Sequence, residues 1–176
     1  MKELLEKIFE SVDKEAKHLH AVDKRLRHLV AEYDRLLSEK EQIEKRLTEI
    51  EKEVLEVSRQ IKELEHEYNE LRHKLRKNKQ LLQHADSPRE YERLMETRKK
   101  LLEKMNEVTE KLQELRKKYD DLKFEEYELS DKLAELEKEL SRIRREIEEH
   151  LRELKHYAEE VVRRINQFAE KFNLKL

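Results

Sequence analysis

A heptad ruler laid along the chain from Leu5, stepping alternately three and four residues, lands on an almost unbroken series of apolar side chains. It runs through Ile8, Val12, Leu19 and Val22 and onward to Leu75, Leu82 and Ala85, and only Glu15, Lys40 and Asn78 break the apolar rule. An a/d pattern with a period of 3.5, sustained over about eleven heptads, predicts a left-handed coiled coil and argues against disorder.

The pattern stops at His84-Ala85-Asp86-Ser87-Pro88-Arg89-Glu90, close to the midpoint of the chain. Ser87, Pro88 and Glu90 have the form of a capping box. Ser87 is the N-cap, Pro88 stands at the first helical position where its missing N–H costs nothing, and Glu90 reaches back to the cap. The residue ahead of a proline disfavours the α conformation, so a first helix ends just before this point. A second ruler then runs through Tyr91, Leu94, Arg98 and Leu101 to Ile143 and Ile147. From there the apolar series continues as Leu151, Leu154, Ala158, Val161, Ile165, Phe168 and Phe172, which reads as a stutter with two consecutive steps of four.

The predicted architecture is therefore all-α, a long antiparallel two-helix coiled-coil hairpin forming a single unit over 1–176. The first helix spans about 3–85, the turn 86–88 and the second helix about 88–173. At 1.5 Å per residue each arm would be roughly 125 Å long. The rival is a continuous parallel dimer kinked at Pro88, against which the capping box argues. A register in which facing residue numbers sum to 176 sets Leu82 opposite Leu94 and Asn78 opposite Arg98, so two of the seam's polar exceptions share one layer and would fix the register. The same layers bring Glu15 within reach of Arg164.

Composition narrows the function classes. The chain has 176 residues, 48% charged, with no Gly, one Pro and no Cys. Without Gly there are few turns and no Gly-rich phosphate loop, and without Cys there is no disulfide, no thiol nucleophile and no Cys-ligated zinc. No apolar run approaches the length of a membrane span. The start, Met1-Lys2-Glu3-Leu4-Leu5, has no secretory h-region, which leaves the cytoplasm as the expected location. The high charge and absence of Cys also suit a heat-adapted organism. Eight histidines raise a metal hypothesis. None has a one-face ligand spacing, and only cross-arm pairs such as His20 with His156, or His28 with His150, come level. Two helices alone enclose no pocket for a nucleophile, so no catalytic residue, no cofactor, no metal and no small-molecule substrate is expected.

Two surface features remain. Between Leu71 and Lys104 stand eleven Lys or Arg against five acids, a local charge of +6 that leaves −8 for the rest. Arg72, Lys74, Arg76, Lys77, Lys79, Arg89 and Arg93, with the Tyr91 ring, form a candidate partner-binding tip whose field reaches an acidic protein surface or phosphate. A basic end to the first helix also suits its macrodipole. At the other end Phe9, Ala16, Val30 and Leu37 add an apolar e stripe, answered by Val162, Ala169, Leu174 and Leu176. With Phe168 and Phe172 this base is wider than an a/d seam and is expected to associate, forming a homodimer or docking on another protein.

The segment Ser87-Pro88-Arg89-Glu90-Tyr91-Glu92-Arg93-Leu94-Met95-Glu96 resembles the tip of the helical hairpin in bacterial and archaeal zinc-ribbon coiled-coil proteins. That family's C-terminal CxxC…CxxC ribbon has no counterpart here. Flagellar and secretion-export chaperones of the FliJ type look similar in architecture. The reading that follows is a non-catalytic adaptor, spacer or assembly factor, associated at its base, with a basic tip for a protein partner. The alternative is a nucleic-acid-associated protein that contacts phosphates through that tip.

Overall fold

A computed structural model describes residues 2–176. Two helices account for almost all of them: α1, Lys2–Gln83, 82 residues, and α2, Pro88–Lys171, 84 residues. Neither contains an internal Gly or Pro, and Glu, Lys, Leu and Arg dominate both, the composition that holds long helices. They pack side by side in opposite directions as an antiparallel coiled-coil hairpin.

α1 stops two residues short of Ala85, where the ruler ended. The last N–H groups shorten their reach, His84 to the Leu81 carbonyl at 3.2 Å and Ala85 to the Leu82 carbonyl at 3.5 Å, so the chain tightens before it reverses over 84–87. α2 ends at Lys171 with a Gly-free cap. Asn173 adopts a left-handed φ of 49°, its N–H reaches the Glu170 carbonyl, and the Leu174 N–H reaches the Ala169 carbonyl at 2.8 Å. This is a Schellman arrangement with Asn in place of Gly, and Ala169, whose carbonyl closes it, is buried.

The hairpin divides into two compact units, one made of Met1–Ile43 with Lys132–Leu176, the other of Glu44–Asp131. In the second unit, which holds the turn, Ile50, Val57 and Leu122 form one buried cluster, supported by Val54, Ile61, Leu115, Tyr119 and Leu129. Leu71, Val108 and Leu112 form another. In the first unit the buried apolar residues are Val22, Leu26, Leu29, Leu36, Ile43, Leu136, Leu140, Ile143 and Ala169. All but Ala169 lie on the rulers. Ile50 and Ile143 are 0% exposed, and each such side chain contributes about 1.5–3 kcal/mol by leaving water.

Cross-helix contacts set the register. His18 with Glu153, Arg25 with His150, Lys40 with Glu137, Arg46 with Glu125 and Glu65 with Arg116 all pair numbers that sum to within about five of 176, as two antiparallel 1.5 Å ladders require.

One expectation fails. There is no stutter after Ile147. The half-buried positions continue as His150, Leu154, Tyr157, Val161, Arg164 and Phe168, the same three-four alternation, while Leu151, Ala158 and Ile165 are exposed. On α1 Ser11 turns partly inward and Val12 outward. Polar partners make this phase acceptable. Arg25 donates from Nε to His150 Nε2 at 3.2 Å, and Arg164 donates to Ser11 and lies 3.1 Å from the Glu15 carboxylate. The Tyr157 ring packs on His18 at 4.4 Å.

Candidate functional site

The turn is built by side chains that replace missing helix hydrogen bonds. Ser87 Oγ accepts the Glu90 N–H at 3.1 Å, and the Tyr91 N–H reaches the Ser87 carbonyl at 3.1 Å. The Glu90 carboxylate reaches one residue further back than a capping box expects, accepting the Asp86 N–H at 3.4 Å. Pro88 opens α2.

Just below, Asn78 is the one buried polar residue among those described, 4% exposed. Its Nδ2 donates to the Leu94 carbonyl at 3.0 Å. A helical carbonyl points toward the residue four places on, so this bond sets Asn78 level with Arg98. The expected polar pair is nonetheless a bond to backbone: Asn78 holds Leu94, while Arg98 stands half-buried beside it.

Arg72, Lys74, Arg76, Lys77, Lys79, Arg89 and Arg93 are all exposed. Among the described residues neither these seven nor Arg98, Lys99, Lys100 and Lys104 form an ion pair or a side-chain hydrogen bond. Elsewhere such groups are engaged. Arg46 clasps Glu125 through two bonds of 2.8 and 2.9 Å, Arg59 lies between Glu56 and Glu63, and Arg142 lies between Glu139 and Glu146. The hydrogen bond from Arg46 holds the Glu125 carboxyl below its ordinary range, and the bond from Arg142 does the same to Glu139. Between the free bases stand exposed apolar side chains that sequence reading left out: Leu81, Met95 and Leu102, besides the anticipated Tyr91.

At the chain termini the anticipated association residues separate into two groups. Phe9, at 64% exposed, Val30 and Val162 face outward, and Leu37 is half-buried. Phe168 and Phe172 are half-buried and pack on each other in a tilted arrangement, ring centroids 4.7 Å apart. Leu151 and Ile165, 53% and 41% exposed, join the outward group. By sequence both fit the seam, because an apolar stripe beside a seam looks like a slipped seam; the polar contacts of His150 and Arg164 decide between the two.

The histidine layer holds no metal-type cluster. Among the described residues no group of three His, Asp or Glu is arranged to hold a metal ion. His18 Nε2 lies 2.9 Å from Glu153, and His150 accepts from Arg25 through Nε2 while its Nδ1 lies 3.5 Å from the same Glu153. The His18 bond, then that of His150, holds the Glu153 carboxyl below its usual range. The surface depressions are open grooves along the helices, such as that lined by Arg25, His28, Glu32, Arg142 and Glu146. No helix among the described residues is long and apolar enough to cross a membrane.

Comparison with known proteins places the chain among coiled coils. A family model described as ZapB related matches residues 12–73, a stretch wholly within α1. Among solved structures the chain is similar to the HP0958 protein from Helicobacter pylori CCUG 17874, with a TM-score of 0.68 and 17% identity over 94% of this chain and 71% of that one. At that identity the likeness is one of fold. No curated protein matches the chain.

Proposed function

We propose that this protein is a non-catalytic coiled-coil adaptor, spacer or assembly factor, which associates through its base and presents the basic tip to a protein partner. The observation that carries the reading is the contrast in charge use. Bases near the turn are left without carboxylate partners, while Arg46, Arg59 and Arg142 are neutralised within the chain. Unpaired charge on a solvated surface steers an oppositely charged partner at little cost. Exposed Leu81, Tyr91, Met95 and Leu102 among those bases favour a protein surface, which supplies apolar contact as well as acid, over a phosphate backbone. The ZapB-related match and the fold shared with HP0958 support a coiled-coil part in an assembly. A cytoplasmic location belongs to the same reading, as does the resemblance of the turn segment to the hairpin of zinc-ribbon coiled-coil proteins.

The local charge of +6 favours one second reading, contact with nucleic acid. Salt dependence separates the two. Several phosphate contacts make binding fall steeply as salt rises. The adaptor reading expects no shift of DNA or RNA mobility at low salt, and no change when Arg76→Glu and Lys77→Glu are introduced together. A low-salt shift abolished by those two substitutions would replace it with the nucleic-acid reading.

A further inference from the structure

We propose that the terminal end of the hairpin is half of a four-helix bundle, completed by a second copy of this chain packed against one defined side. This rests on the reading that the base associates, and it commits that reading to a partner and a face.

The two sides of the coiled coil are told apart by their ion pairs. His18 with Glu153 and Glu39 with Lys132 each join residues that immediately precede an a position, the g positions, so the g residues of both helices share one side. The residues that follow d positions, the e positions, then share the other, as Glu65 with Arg116 does nearer the turn. From Phe9 onward in the terminal unit the e side carries Phe9, Ala16, Val30 and Leu37 from α1 and Leu151, Ala158, Ile165 and Phe172 from α2, broken by Asp23, Glu137 and Arg144. The g side of the same stretch carries Ser11, His18, Arg25, Glu32, Glu146, Glu153 and Glu160. One side is apolar and the other polar, although both border the same seam.

The seam heightens the contrast. Its outermost layers take Ser11, Glu15, His150 and Arg164 inward while Leu151 and Ile165 stay in water. Left uncovered, that arrangement forgoes burial already within reach. It becomes favourable when the e side is covered, because a helix with apolar a, d and e positions is the pattern of a bundle rather than of a two-stranded seam.

Three features select a second copy as the cover. The stripe comes from both helices, so it presents two parallel ridges, and the body that fills the grooves of two ridges is another pair of helices. Its size is right. About 28 residues of each helix give roughly 40 Å of length and, across two helices about 10 Å apart, on the order of 700 Å² per copy, against about 800 Å² per partner in a standard stable interface. Its charge is sparse, Asp23 and Glu137 against Arg144, and Glu137 is already paired with Lys40 within the chain, so two copies meet with little repulsion and form the self-complementary patch of a two-fold dimer.

Sedimentation of the intact chain tests this, with Leu151→Lys plus Ile165→Lys on the e side and Ala21→Lys, exposed on the g side, as control. The expected result is a particle of twice the 21.8 kDa chain mass for wild type and control. The e-side variant should dimerise roughly a hundredfold or more weakly, its helical circular dichroism unchanged, because two charges would enter a desolvated interface. In a second arm, Ile165→Cys, in a chain otherwise free of cysteine, should be joined to its twin by a bis-maleimide linker, and Ala21→Cys should not. A dimer that survives the e-side lysines, or links through Ala21→Cys, overturns the face. A monomeric wild type overturns the second copy as partner. The broader reading falls only if, in addition, the e-side lysines release no heterologous protein that the wild type holds.

Discussion

Near the turn, seam positions hold Leu71, Val108 and Leu112, and the charge stands outside with the bases unpaired. Near the termini, seam positions take in Glu15, His150 and Arg164, the g residue Ser11 turns partly inward beside them, and Leu151, Ala158 and Ile165 stand outside. One heptad rule built both, so the difference is in what each half leaves exposed: the turn half charge with scattered apolar side chains, the terminal half a mainly apolar side. In a two-helix coiled coil the seam takes the a and d residues, and the identity of the e and g residues decides which contacts are made elsewhere.

The sharpest stress on this comparison is placed where the halves are alike. Ile50→Ala in the turn-containing unit and Ile143→Ala in the terminal unit remove side chains that are fully buried, and each should lower unfolding free energy by about 2–5 kcal/mol in denaturant titrations. A loss below about 1 kcal/mol for Ile143→Ala alone would mean that the terminal half lacks an ordered seam.

A smaller effect probes the polar seam. Glu15 has only 12% of its side chain exposed beside Arg164, so Arg164→Ala strands a carboxylate and should destabilise by about 1–2 kcal/mol. Glu15→Leu with Arg164→Leu should come out near neutral or more stable. Equal losses for the single and double substitutions would show that Glu15 does not depend on Arg164.

Acidification should give the mildest difference. Glu125, Glu139 and Glu153 are held below the ordinary 4.5, so their stabilisation is fully present above that value and is lost as pH falls through their lowered native values. The bases near the turn have no such partners to lose. Hydrogen exchange between about pH 5 and about pH 3 should therefore loosen the amides of 132–160 before those of 98–108. The reverse order would contradict the assigned pairing.

Most of the fold was legible because a 3.5 period, a single Pro and a capping box are local signals. Ser87, Pro88 and Glu90 mark the turn, and the register summing to 176 follows once the turn is fixed. The phase after Ile147 was not legible. Leu151, Ala158 and Ile165 are as apolar as Leu154 and Val161, and periodicity cannot distinguish a stutter from a second apolar stripe. The deciding information lies on the opposite helix, where Arg25, Ser11 and Glu15 make His150 and Arg164 acceptable inside. At the tip, the count of bases was readable, but their lack of partners depends on which acids lie within reach across the seam. Leu81, Met95 and Leu102 fall off the a/d ruler and so drew no notice.

The central claim is that turn and termini serve different associations, and capture with one variant tests it most directly. Arg76→Glu, Lys77→Glu and Lys79→Glu together should lose the heterologous protein held by wild type while keeping the same sedimentation. Retention of that protein by the reversed tip, or loss of self-association along with it, would contradict the division of roles between the two ends.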